Sequence, residues 1–169
     1  FTDGRPRARP LDGRTMLPNT PAIFDLAWAK RFHWDGRHPT LEAQARAPIV
    51  HPQELAGSLE QTARRLRKDP DMQARFAAAF PATRRISPDM VPKALAAYVR
   101  TLISPKTRFD MWIEGRADAL TRREYEGFRL FAGRAGCLAC HGGWRFTDGR
   151  FHDIGLATRD LGRNAANPA

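Results

Sequence analysis

From residue 40 to residue 133 the apolar positions fall in short helical stretches, each opened by a capping side chain. Residues 1–38 show no such period; they are rich in Pro, Gly and Arg and read mainly as loop. Thr40 ahead of Leu41-Glu42-Ala43-Gln44-Ala45 predicts a short N-capped helix, because its hydroxyl can accept a free N–H of the first turn. Ser58 opens a second helix from Leu59 to Arg67, with apolar or long aliphatic positions on one face. Asp69-Pro70 breaks it, and a third runs from Asp71 to Phe80 before Pro81. Ser87-Pro88, an N-cap followed by Pro at the first helical position, starts a fourth that reaches about Ile103. Leu95, Ala96, Tyr98, Val99 and Leu102 supply its expected buried stripe. Thr121 and Glu124 have capping-box spacing for a helix through Phe131 that ends near Gly133. No segment alternates as a strand does, so the chain reads as mainly α.

Charge narrows the partners. The 169 residues carry 28 Lys and Arg against 18 Asp and Glu, a formal charge of +10. Such a surplus suits nucleic acid, an anionic surface or an acidic protein. The basic residues are scattered among acidic ones, which argues against a nucleic-acid site. No apolar run approaches transmembrane length and no signal peptide is visible, so the chain is expected not to be transmembrane. It begins at Phe1 rather than Met, the expectation for a processed or truncated chain.

The segment Cys137-Leu138-Ala139-Cys140-His141 specifies chemistry most sharply. C-x-x-C-H is the attachment signature of c-type haem: two thiols add to the porphyrin vinyl groups, and the adjacent imidazole becomes an iron ligand. A zinc site would need further ligands, and no other cysteine exists to complete a sulfur-rich set. A thioredoxin-like pair would need a strand–helix context that is not visible. Covalent haem attachment occurs outside the cytoplasm in bacteria, so an exported, periplasmic protein is expected.

Phe1-Thr2-Asp3-Gly4-Arg5 recurs letter for letter as Phe146-Thr147-Asp148-Gly149-Arg150. Each copy is followed by Gly-Arg (13–14 and 162–163), then by an Asn- and Pro-containing segment. The second copy begins five residues after the haem histidine. By symmetry a first haem motif is expected just upstream of Phe1, making this the middle of a two-haem protein, truncated at both ends.

Further blocks carry a family resemblance: Asn19-Thr20-Pro21; Phe32-His33-Trp34-Asp35-Gly36-Arg37; Leu41-Glu42-x-Gln44-Ala45; Pro48-Ile49; and Pro52-x-Glu54. With 94–102, Glu126-Gly127-x-x-Leu130-Phe131 and the C-x-x-C-H motif, the chain resembles bacterial di-haem cytochrome c peroxidases and their MauG relatives over nearly its whole length. The resemblance implies two cytochrome-c-like domains. Residues 1–120 would be the remainder of an N-terminal peroxidatic haem domain, and 121–169 the start of a C-terminal electron-transfer haem domain. Cys137, Cys140 and His141 would then hold the haem that receives electrons, with the second haem attached upstream.

By the same resemblance Trp34 matches the tryptophan that assists electron transfer between the haems, against the plainer reading of a packing anchor. Glu54 matches the distal glutamate that shuttles a proton during O–O cleavage. Gln44 and Pro48 match pocket-lining positions. Arg37 would pair with a haem propionate or with a nearby acidic side chain. Asn19 matches a ligand of an inter-domain calcium.

Departures matter as well. Residues 1–32 lack a histidine, so the removable sixth iron ligand of many such peroxidases is missing, as in the MauG-like branch. His33 replaces a usual aromatic, and Leu55 a common methionine. His33, His38, His51 and His152 are not assigned as ligands, nor are Met16, Met72, Met90 and Met111.

The expected function is reduction of hydrogen peroxide to water with electrons from a small cytochrome or cupredoxin, its docking surface acidic. The alternatives are a MauG-like oxidase acting on a partner protein and a simple electron-carrying cytochrome c. A homodimer is a further expected assembly.

Overall fold

A computed structural model of the chain describes residues 4–9, 13, 19–83 and 85–155. Among these residues the helices are α1 (Leu41–Val50), α2 (Leu59–Leu66), α3 (Pro70–Ala79), α4 (Met90–Arg100), α5 (Arg108–Ile113) and α6 (Arg122–Ala132). Single 3-10 turns occupy Leu26–Trp28, Ala117–Ala119 and Cys137–Ala139. No strand occurs among the described residues; one antiparallel bridge joins Phe32 and His38. The architecture is mainly α, as the sequence predicts. No helix among these residues is long and apolar enough to cross a membrane.

The chain divides into two compact units, one reaching to Ile103 and one over Ser104–Leu156. This division falls ahead of α5. In the first unit α1 packs on α4. Phe32, Leu41 and Ala96 are buried together, with Leu26, Ala29 and Val99 against them. Ala96 is fully buried, and its small side chain suits a close approach between the two helices. Thr40 Oγ1 accepts the Ala43 N–H at 3.1 Å, and Ser58 Oγ accepts that of Gln61 at 3.3 Å. Both caps are those the sequence predicts. Asp69-Pro70 is less a break than a start: Asp69 caps α3, and Pro70 sits where its missing N–H costs nothing.

The expected stripe on α4 needs correction. Its buried residues are Met90, Val91, Pro92 and Ala96, while Leu95 and Tyr98 are 41% and 62% exposed. Pro92, Ala96 and Val99 lie at i, i+4 and i+7, one helical face. Leu95, Tyr98 and Leu102 form the neighbouring stripe, and α1 covers the first. The helix also begins at Met90 rather than at Pro88.

In the second unit α5 and α6 each open with a complete capping box, Thr107/Asp110 and Thr121/Glu124. The Arg108 guanidinium donates in parallel to both Glu124 carboxylate oxygens, at 2.8 and 2.7 Å. Bonds from Thr121 and Arg108 hold the Glu124 carboxyl down at about 2. Rings of Phe109, Trp112, Tyr125, Phe128, Phe131 and Phe146 pack with centroids 5.0–6.5 Å apart.

Candidate functional site

Backbone pairing of Phe32 with His38, at 3.0 and 3.3 Å, pinches off a tight loop. His33 within it takes φ 71°, a left-handed conformation that side chains other than glycine rarely adopt. Asp35 is only 9% exposed. Arg37 wraps it: its backbone N–H donates to Oδ1 at 3.0 Å, Nε to Oδ2 at 2.7 Å, and Nη2 lies 2.6 Å from Oδ2. Burial alone would raise the Asp35 carboxyl, but the Arg37 hydrogen bonds and charge prevail and lower it to about 2. A fork from Arg37 to a propionate would therefore have to displace Asp35.

Trp34 faces outward, 56% exposed, with its indole N–H donating to the Asn19 carbonyl at 2.6 Å. Asn19 Oδ1 is buried without a hydrogen-bond partner. His33 Nδ1 lies 3.3 Å from Asp35 Oδ1, yet it is also buried without a properly aligned bond. Burial and the Arg37 charge lower the His33 pKa below its usual 6.5. Burial, with the charges of His33 and Arg37, does the same for His38.

Gln44 and Pro48 stand one turn apart on α1. Pro48 has no N–H to give the Gln44 carbonyl, so α1 runs through it at the cost of one helical bond. The chain then folds back on the helix end: Leu55 N–H reaches the Pro48 carbonyl at 3.1 Å and Gly57 N–H that of Ile49 at 2.7 Å. These bonds satisfy carbonyls that a helix C-terminus leaves open. A Cβ on Gly57 would stand 2.9 Å from the Ile49 oxygen, so the return requires glycine.

Glu54 lies on this return loop, its side chain 35% exposed and 3.9 Å from His51 Nδ1. That nitrogen accepts the Gln53 N–H at 3.3 Å, so a neutral His51 has no proton there for Glu54. Gln44 Oε1 is buried and unpaired. The structure thus groups Gln44, Pro48 and Glu54 on α1 and its return loop, and Trp34, Asp35 and Arg37 on the 32–38 loop.

In the second unit, Gly136 at φ 69° turns the chain out of the α6 terminus. The Cys140 and His141 N–H groups both return to the Cys137 carbonyl, at 3.3 and 2.9 Å. Both thiols are free and half-buried. His141 Nδ1 lies 3.1 Å from the Phe146 carbonyl oxygen. A carbonyl only accepts, so Nδ1 carries the proton and Nε2 keeps its lone pair. The Asp148 N–H closes the same loop onto the Cys140 carbonyl at 3.0 Å. The second copy of the repeated block is therefore the strap that orients His141. Of the first copy, Phe1, Thr2 and Asp3 lie outside the described residues; Gly4 and Gly149 share φ values of 67° and 69°.

An apolar cavity of about 360 Å³ adjoins His141, lined by Phe109, Gly127, Phe128, Phe131 and Phe146. A Cβ on Gly127 would meet nothing within 4 Å, so the helix presents open space there. Free thiols, an uncommitted imidazole nitrogen and an apolar hollow fit a covalently held haem c. His152 is engaged elsewhere, 2.8 Å from Asp148 Oδ2. Asp35 is the nearby acidic side chain that the sequence offered as one partner for Arg37, whereas the Phe146 carbonyl behind His141 and Gly57 under Ile49 escape sequence reading. Both of these depend on a loop conformation.

The helical fold and the C-x-x-C-H turn place the chain among proteins built on cytochrome-c-like domains. The profile of the di-haem cytochrome c peroxidase family matches residues 1–118, and the chain belongs to that family, whose cofactor is haem c. It is 45% identical over 170 residues to the methylamine utilization protein MauG of Methylorubrum extorquens, covering 99% of this chain and 48% of that one. It is 33% identical over 155 residues to the cytochrome c peroxidase Ccp of Escherichia coli, covering 91% of this chain and 33% of that one. Among solved structures it is similar to a MauG-like protein associated with microbial copper homeostasis, with TM-score 0.77, 32% identity, and 90% of this chain against 47% of that one. The chain thus spans about half the length of the MauG relative and a third of the peroxidase.

Proposed function

We propose that this protein is a di-haem c-type peroxidase that reduces hydrogen peroxide to water with electrons from a small cytochrome or copper protein. The observation that carries the enzymatic reading is the half-buried Glu54 carboxylate, whose ion-pair neighbour among the described residues is His51 at 3.9 Å, at the end of the helix that buries the unpaired Gln44 Oε1. A simple electron carrier needs no proton shuttle.

In this reading the first unit belongs to the peroxidatic haem domain and the second to the electron-entry haem domain. Cys137 and Cys140 would hold the second haem by thioethers, and His141 would offer Nε2 to its iron, the Phe146 carbonyl fixing the ring through Nδ1. The other haem would be attached by a motif upstream of Phe1. When bound, the haems supply the electron storage and transfer that peroxide reduction consumes. Glu54 would take a proton from one peroxide oxygen and return it to the departing one, which leaves as water; two electrons from the donor by way of the haems and two protons from solvent would reduce the remaining oxygen to a second water. Gln44 Oε1 accepts from a bound water or from peroxide, and Pro48 limits access to the pocket. Trp34, oriented by the Asn19 carbonyl, is the relay between the two haem sites. Arg37 secures that loop through Asp35, and a propionate would have to displace Asp35 to take its fork. The orphaned Asn19 Oδ1 suits a calcium ion, which takes amide oxygens readily. The protein is exported to the periplasm, where covalent haem attachment takes place, and its positive charge favours a donor with an acidic face.

A MauG-like oxidase acting on a partner protein is the second reading. It is favoured by the missing histidine in residues 1–32 and by the higher identity to the MauG relative. Steady-state turnover of peroxide by the haem-loaded protein with a reduced small cytochrome separates the two. The peroxidase reading expects sustained turnover that slows as ionic strength rises. Negligible turnover, with peroxide-dependent modification of a partner protein, sinks it in favour of the second.

A further inference from the structure

We propose that the groove between α2, α3 and the start of α4 is a binding site for an amphipathic organic anion, an apolar chain or ring bearing one carboxylate-type head. The hollow measures about 750 Å³, within the range of small-molecule sites. Its floor is apolar, formed by Phe76 of α3 together with the buried Ile86 and Met90. The Phe76 ring stacks on Phe80 at 5.8 Å, which extends that surface. Its rim carries Arg64, Arg67, Lys68 and Arg85, and no acidic residue lines it.

Arg67 is structural. Its side chain is 16% exposed, with Nη1 donating to the Ile86 carbonyl at 2.8 Å and Nη2 to Glu60 at 2.9 Å. It fastens the α2 end to the segment that supplies the floor, and its charge is matched. Arg64, Lys68 and Arg85 have no carboxylate partner among the described residues. Three unmatched cations around one hollow repel one another and attract an anion. An inorganic anion would leave the apolar floor in water, and a neutral hydrocarbon would leave the cations unmatched. An amphipathic anion satisfies both surfaces at once. None of these residues is assigned to haem or to peroxide, so the proposal stands independently of the peroxidase reading.

Calorimetric titration of the haem-loaded protein with decanoate at low salt tests the site, with acetate as the head group alone. Saturable binding of one decanoate per chain is expected, with no acetate binding at the same concentrations. The double variant Arg64→Gln/Arg85→Gln, altered only at exposed positions, should weaken decanoate about five- to tenfold. Ala77→Phe, which fills the hollow from α3, should abolish it. Unchanged far-UV circular dichroism would show that both variants are folded. Absence of saturable decanoate binding, acetate binding as tightly as decanoate, or decanoate binding untouched by either variant would overturn the proposal.

Discussion

Replacing Arg37 with alanine removes the cation that forks the buried Asp35 carboxylate, and the cost can be worked from the geometry. The carboxyl is 9% exposed, and its pKa is held at about 2 against an ordinary 3.8. At about 1.36 kcal/mol per pH unit this corresponds to about 2 kcal/mol of stability at neutral pH. The sign follows from proton counting. The unfolded carboxyl binds protons more readily than the folded one, so the contribution is fully present above pH 3.8. It is lost as the pH falls through about 2. Without the guanidinium, burial acts unopposed and the Asp35 pKa rises to its ordinary value or above. Stranding a buried carboxylate adds to the loss, giving an expected destabilisation of about 2–4 kcal/mol at pH 7. Urea unfolding of the haem-loaded protein, followed by far-UV circular dichroism at several pH values, measures it. The gap between wild type and Arg37→Ala should be widest near neutrality and close between pH 4 and 2. A gap under about 0.5 kcal/mol at pH 7, or one that stays constant down to pH 2, would refute the reasoning.

Other outcomes follow from the same geometry. Glu54→Gln preserves shape but cannot shuttle a proton, so peroxide turnover should fall about a hundredfold or more with the haem spectrum unchanged. Gly57→Ala drives a methyl against the Ile49 oxygen at 2.9 Å and should displace the return loop, lowering turnover while His141 ligation stays intact in the absorption spectrum. Leu41→Ala empties a site that is 2% exposed and should cost about 3 kcal/mol in urea unfolding. Thr121→Ala removes the α6 capping box and should cost about 1 kcal/mol by the same assay.

What could be read from the sequence was what short-range chemistry decides. Thr40, Ser58 and the Thr121/Glu124 box announce helix starts because a cap needs only residues three positions apart. α5 carries an equally good box at Thr107 and Asp110, but six residues are too few for a hydrophobic period to show. The sequence leaves the buried face of α4 ambiguous because two adjacent stripes are both apolar, and only the placement of α1 selects Ala96 and Val99 over Leu95 and Tyr98. At the site, Cys137, Cys140 and His141 were legible from spacing. The acceptor behind His141 was not, since a backbone carbonyl such as that of Phe146 leaves no trace in side-chain identity. The repeated Phe-Thr-Asp-Gly-Arg block held the clue: its second copy forms the strap, with Gly149 supplying the left-handed turn.

Every role proposed for this chain in peroxide reduction depends on covalent haem attachment at Cys137 and Cys140. Trypsin digestion of the protein purified from an export-competent, haem-maturing host, followed by mass spectrometry of the peptide spanning residues 135–145, tests it directly. The peptide should carry one haem through Cys137 and Cys140, with neither thiol open to alkylation. An unmodified peptide whose two cysteines alkylate freely would show that this chain carries no haem at Cys137 and Cys140 and would rule out its part in a di-haem enzyme.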